Sequence, residues 1–236
     1  TKLAAITLAS NLTGQIVFSS ALAEKLKALG LTVFVDASQG AGKKLLDMQR
    51  DCIDVLAFTG HKDLLGLPGV GGLCSVNNLR ITPLIQGGTG IYGDSYVNPE
   101  AFPESYEAGT LNMPAIWALK NAVEYINEHI SEMNKTESGL TQYLVKSMTA
   151  LPNVIVYNAD KPRVSTLAFN VKGKSSSDVV ALLDKNGICV RGGIHCAILA
   201  HETLGTVKSG AVRVSMNSYN TKDEIDAFIK VIGGIN

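Results

Sequence analysis

The sequence predicts an α/β protein: a mostly parallel sheet within residues 1–130, followed by a small α+β C-terminal domain over residues 131–236. Short apolar runs alternate with a helical pattern in the first half, the mark of strands joined by crossovers. The second half instead groups helical stripes with isolated strand runs. Hydrophobic residues make up 46% of the chain and charged residues 18%, enough apolar surface for a sizeable core and too much for a disordered chain.

Residues 3–8, Leu-Ala-Ala-Ile-Thr-Leu, and 31–35, Leu-Thr-Val-Phe-Val, are compact apolar runs that read as buried strands. Between them Leu22, Leu26 and Leu29 recur at helical spacing, and Gly30 supplies the stop. Residues 54–58 and 70–76 are the third and fourth strand candidates. From Asn112 onward, Ile116, Leu119, Val123, Ile126 and Ile130 form one helical stripe, and a second stretch carries Leu140, Tyr143, Leu144 and Met148 toward Pro152. The polar segment 131–138 between them is the expected domain boundary. Strands are then expected at 165–171, 188–191 and 211–216, with helices at 177–186 and 222–232.

Twenty-one basic and 21 acidic residues cancel, which excludes a chain built around a nucleic-acid or anionic-membrane surface. No apolar run reaches bilayer-spanning length and no leader-like segment opens the chain, so a cytoplasmic location is expected. Cys52, Cys74, Cys189 and Cys196 form no Cys-x-x-Cys pair, so neither a zinc knuckle nor a disulfide scaffold is expected, and a reducing compartment fits. Gly88-Thr89-Gly90-Ile91-Tyr92-Gly93 satisfies the dinucleotide-binding spacing, but prolines rather than a helical pattern follow it, so it reads as a loop.

Chemistry concentrates at expected strand ends. Asp36 closes the second strand and Thr59-Gly60-His61-Lys62 follows the third, where α/β sheets gather their ligands. An isolated Asp and Lys so placed are most simply a salt bridge or two solvated groups. The chemical alternative is a lysine that condenses with an aldehyde cofactor, and a carboxylate that keeps a pyridine nitrogen protonated.

Five segments occur in order: Ser10-Asn11, Asp36-Ala37-Ser38-Gln39, Thr59-Gly60-His61-Lys62, Glu107-Ala108-Gly109-Thr110-Leu111-Asn112, and Arg191-Gly192-Gly193-Ile194-His195-Cys196-Ala197, with Arg213 beyond them. Together they resemble the class V aminotransferase family, and within it the SufS-like cysteine desulfurases. That resemblance covers the whole chain. It implies a pyridoxal-phosphate fold-type I large domain, here partial, because family members carry a further section ahead of the point where Thr1 falls; that section either lies on a separate N-terminal segment or was lost.

The resemblance further implies residue roles. Lys62 matches the lysine that holds pyridoxal 5'-phosphate, Asp36 the partner of its pyridine nitrogen, Gln39 the partner of its ring hydroxyl, and Thr59 and His61 contacts to its phosphate. Asn11 would lie beside cofactor and substrate. Thr110 would reach the phosphate in a partner subunit, which implies a homodimer. Arg213, assisted by Arg191, would grip the substrate carboxylate with its planar fork. Cys196 would attack the sulfur of L-cysteine, leaving L-alanine and a persulfide for a sulfur-acceptor protein, as in iron–sulfur cluster assembly. Gly192 and Gly193 allow a tight loop there, and Arg191, His195 and His201 are expected to favour its thiolate. Cys189 reads as core. A selenocysteine lyase or another class V enzyme, or a non-catalytic fragment or subunit, would show the same segments.

Overall fold

A computed structural model describes residues 1–76 and 79–235. The first sheet contains β1 (Leu3–Thr7), β2 (Thr32–Asp36), β3 (Val55–Thr59) and β4 (Gly71–Ser75), in that spatial order. β1, β2 and β3 are parallel, and β4 returns antiparallel along β3. Thus the four expected strands form, and the sheet is mostly parallel.

Only one helix, α1 (Ser20–Ala28), intervenes between these strands, so the alternation is shorter than the sequence pattern suggests. Ser19 caps α1 by accepting the Leu22 N–H, and Gly30 leaves it at φ +76°, a conformation that favours glycine. The β2–β3 crossover instead runs through hydrogen-bonded turns. Asp51 anchors them, accepting from Ser20 Oγ (2.8 Å), the Asp47 N–H (2.9 Å) and the Arg50 guanidinium (2.8 and 3.0 Å). Beneath lie Leu8, Phe18, Ala23, Val33, Val35, Ala37 and Ile53.

After β4, residues 79–112 carry a single 3-10 turn, Glu104–Tyr106, and then α2 (Met113–Thr149) begins under an Asn112 cap. α2 is one helix of 37 residues, about 55 Å long at 1.5 Å per residue. It passes unbroken through 131–138, where the sequence suggested a boundary. That stretch holds no proline, its polar residues mostly face solvent, and Glu137 points inward. The helix therefore belongs to both halves: Ile126 is buried in its first part, and Thr141, Leu144 and Met148 in its last.

The second sheet has the order β5–β6–β8–β7 and is antiparallel throughout: β5 (Val154–Val156), β6 (Thr166–Val171), β7 (Arg191–Gly193) and β8 (Ala211–Ser215). α3 (Ser176–Lys185), α4 (Ile198–Leu204) and α5 (Lys222–Gly233) complete it. β6 is buried along its whole length, with Phe169 edge-on to Phe228 of α5 at 5.8 Å. Strand β7 lies later than residues 188–191, because β8 begins at Ala211 and only Arg191–Gly193 face it. The chain leaving α3 runs at the surface, so Cys189 is exposed rather than part of the core.

Candidate functional site

Three parallel strand ends open on the same edge. Asn11 follows β1, Asp36 ends β2, and Thr59-Gly60-His61-Lys62 follows the adjoining β3. The register places Asp36 beside Ala57, and the Ala37 N–H donates to the Ala57 carbonyl at 2.8 Å. Asp36 accepts the Ser38 N–H at 2.9 Å through one oxygen, Oδ1. Gln39 follows, half-buried.

The Lys62 loop is folded tightly on itself. Gly60 N–H donates to the Val70 carbonyl and Gly66 N–H to the Gly60 carbonyl, both at 2.8 Å. A side chain at Gly66 would meet that same carbonyl at 2.9 Å. His61 and Lys62 stand exposed at its tip, and Lys62 is in no ion pair with a described residue.

The second sheet contributes a paired cation site. Arg191 on β7 lies directly opposite Arg213 on β8. Like charges facing one another across strands destabilise a sheet, so the pair fits a structure built to receive an anion. Among the described residues no carboxylate lies within 4.0 Å of either. Arg213 Nη1 donates to the Asn11 carbonyl at 2.9 Å, and Asn11 Nδ2 donates to the His195 carbonyl at 2.7 Å. One asparagine therefore joins the end of β1 to the arginine strand and to the loop that carries Cys196.

That loop has demanding backbone geometry. His195 and Cys196 both adopt left-handed φ, +54° and +55°, and Gly193 stands at +105°. A side chain at Gly192 would strike Val180 at 2.9 Å and the Ser176 carbonyl at 3.1 Å, which explains the paired glycines. Two successive non-glycine residues in this region are uncommon and cluster at functional sites. Cys196 is exposed at the turn.

His195 is a poor source of positive charge there. His195 is buried, and its Nε2 must donate to the Ala211 carbonyl at 2.9 Å, which leaves Nδ1 bare and without a partner. Burial pushes its pKa down, and Arg213, Arg191 and His201 push the same way. His201 is fully buried, stacked on His195 at 6.1 Å, with Nδ1 on Thr206 Oγ1. Arg191 and Arg213 are the permanent cations of this unit.

Thr110 lies apart from these residues. It sits exposed before α2, with no hydrogen bond to any other site residue. The Gly88–Gly93 glycine spacing falls in irregular backbone with no helix behind it, as expected of a loop.

A buried ion cluster beneath the site carried no local sequence signal. Lys43 Nζ lies 3.2 Å from Asp63 Oδ1 and 3.2 Å from Glu137 Oε2, and donates to the Met216 carbonyl at 3.0 Å and to Ser165 Oγ. Its members come from distant points in the chain, and folding alone brings them together.

The donor set fits pyridoxal phosphate. It has an unpaired exposed amine, a carboxylate with one oxygen uncommitted at an adjacent strand end, and two arginines lacking a counter-ion. Similarity to known proteins agrees. The chain is 34% identical over 233 residues to a probable cysteine desulfurase of Methanothermobacter thermautotrophicus, a match covering 95% of this chain and 58% of that one. Its fold matches the apo cysteine desulfurase of Thermococcus onnurineus with a TM-score of 0.88 at 32% identity, over 99% of this chain and 59% of that one. It also matches the Escherichia coli cysteine desulfurase CsdA in its S-sulfonic acid form, with TM-score 0.88 at 30% identity, over 98% and 58%. The chain thus spans somewhat under three fifths of the length of these relatives. The aminotransferase class-V profile matches residues 1–228, and the chain belongs to that family.

Proposed function

We propose that this chain forms the lysine and cysteine half of a pyridoxal-phosphate-dependent cysteine desulfurase. The observation that carries the reading is the Asn11 junction: one residue, through its carbonyl to Arg213 and its side-chain amide to the His195 carbonyl, links the end of β1, on the sheet edge bearing Asp36 and Lys62, to the arginine strand and to the Cys196 turn. The desulfurases among its relatives support the same activity.

Bound pyridoxal phosphate supplies an electron sink for charge developing at the substrate Cα. Asp36 would hold the pyridine nitrogen protonated, Gln39 would take the ring hydroxyl, and Thr59 and His61 would receive the phosphate. Arg213 and Arg191 hold the substrate carboxylate with forked hydrogen bonds. Lys62 would remove the substrate Cα proton and return it, as general base and then acid. The Cys196 thiolate attacks the substrate sulfur. Its S–S bond forms as the substrate C–S bond breaks, and the substrate carbon, having gained a proton, leaves as L-alanine. A sulfur-acceptor protein takes the outer sulfur from Cys196. Thr110, exposed on the segment before α2, serves the site of a second copy, and the working unit is a homodimer in the cytosol.

The test is Cys196→Ser. Incubated with pyridoxal phosphate and L-cysteine, the parent protein gains 32 Da on the Cys196 peptide, the mass of one sulfur, and releases alanine; the serine variant keeps the cofactor and gains no sulfur. Persulfide formation by the serine variant contradicts the assignment.

A further inference from the structure

The buried ion cluster lies outside every role above, yet several of its members lie on elements that carry or adjoin the site residues. Asp63 is the residue after Lys62. Lys43 lies on the turn that follows Asp36 and Gln39, Glu137 on α2, Ser165 at the entry to β6, and Met216 directly after β8, the strand of Arg213. The Lys43 side chain is only 8% exposed and that of Glu137 9%. Ser165 Oγ contacts Glu137 Oε2 at 2.8 Å and the Met216 carbonyl at 2.7 Å. The Lys43 ammonium is therefore surrounded by two carboxylates, a carbonyl and a hydroxyl, the pairing a buried lysine needs.

The backbone reports the same closeness. Gly42 stands at φ +89°, and a side chain there would lie 2.2 Å from the Asp63 carbonyl oxygen. The Lys43 turn is thus pressed against the Lys62 loop by main chain as well as by charge. Burial pushes the Asp63 carboxyl up, while Lys43 and Lys62 pull it down. A buried carboxylate is expensive unless paired. Removing Lys43 accordingly strips Asp63 of its nearest counter-ion and loosens the loop that carries it.

We propose that Lys43 is a positioning residue for Lys62: through Asp63 it fixes the lysine loop of the first sheet to α2 and to the end of the Arg213 strand. The cofactor amine and the carboxylate-gripping arginine are then held at one separation. The inference rests on the cofactor reading of Lys62.

The test uses the full chain and three variants, Lys43→Met, Asp63→Asn and the double variant. Amide exchange is followed at Leu65 and Gly66, whose N–H groups bond to Lys62 and Gly60 carbonyls, and at β1 and β2 as an internal standard. In parallel, Lys62 is labelled with pyridoxal phosphate and borohydride. Expected is a parent that labels at Lys62. Each single variant exchanges Leu65 and Gly66 about tenfold faster, the effect of one lost charge-assisted hydrogen bond. Lys62 labelling falls with it, β1 and β2 are unchanged, and the double variant is no worse than Lys43→Met, because the Asp63 carboxylate reaches the cluster through Lys43. A parent that does not label at Lys62 removes the cofactor reading and this proposal together. A parent that labels, with variants that label and exchange equally well, overturns this proposal alone. Faster exchange spread evenly over both sheets, or additive losses in the double variant, makes Lys43 a general stabilising residue and also overturns it.

Discussion

The two sheets of this molecule are built to different standards of closure. In the second, β6 is buried at every position and its core unites Leu144 and Met148 of α2 with Phe169, Val212, Phe228 and Ile232. In the first, β1 alternates exposed and half-buried residues, Leu3 is 54% exposed, and β4 holds no buried residue. The closed sheet holds the cysteine turn and the arginine pair in fixed geometry. The open sheet carries the lysine and aspartate at an accessible edge. Rigid presentation on one side and access on the other suit a site that must admit a cofactor and then a substrate.

The largest test of that contrast is energetic. Phe169→Ala is expected to cost about 3–5 kcal/mol in urea unfolding, the range for deleting a fully buried aromatic ring. Leu3→Ala should stay within about 0.5 kcal/mol, as exposed substitutions do. Equal losses at the two positions would erase the distinction.

Next comes the junction between the sheets. Asn11→Ala removes the donor to the His195 carbonyl, a bond worth about 1 kcal/mol. Persulfide formation on Cys196 should slow by roughly five- to tenfold while Lys62 labelling changes less. A loss confined to Lys62 labelling would place Asn11 on the cofactor side only.

The smallest effect is in pH. His195 is held neutral by burial, so its folded pKa lies below the unfolded value of about 6.5. The unfolded chain then binds the proton more readily, and stability is full above that value and falls as pH drops toward the folded one. His195→Gln, which keeps a donor for the Ala211 carbonyl but does not titrate, should flatten the loss between pH 7 and 5. An unchanged slope would assign the acid sensitivity to other groups.

The same contrast separates what the sequence discloses from what it hides. The strands of the first sheet are legible because each apolar run is bounded by Gly, Asp or Ser, and Gly30 ends α1 where expected. Lys62, Asp36 and Cys196 stand out as candidates because each sits in a short, distinctive segment. The continuity of α2 is not, since its polar middle looks like a linker until Glu137 finds Lys43. The position of β7 depends on where β8 begins, a non-local fact, and the short β5 and α4 lack a periodic signal of their own. The lowered pKa of His195 is likewise invisible beforehand, because burial and not spacing sets it.

The most direct measurement of the central claim is borohydride reduction of the chain with pyridoxal phosphate, followed by peptide mass mapping. A pyridoxyl group on Lys62, lost in Asp36→Asn or much reduced there, is the predicted result. A label spread over surface lysines and indifferent to Asp36, or no label on Lys62, would contradict the assignment of this sheet edge as the cofactor site.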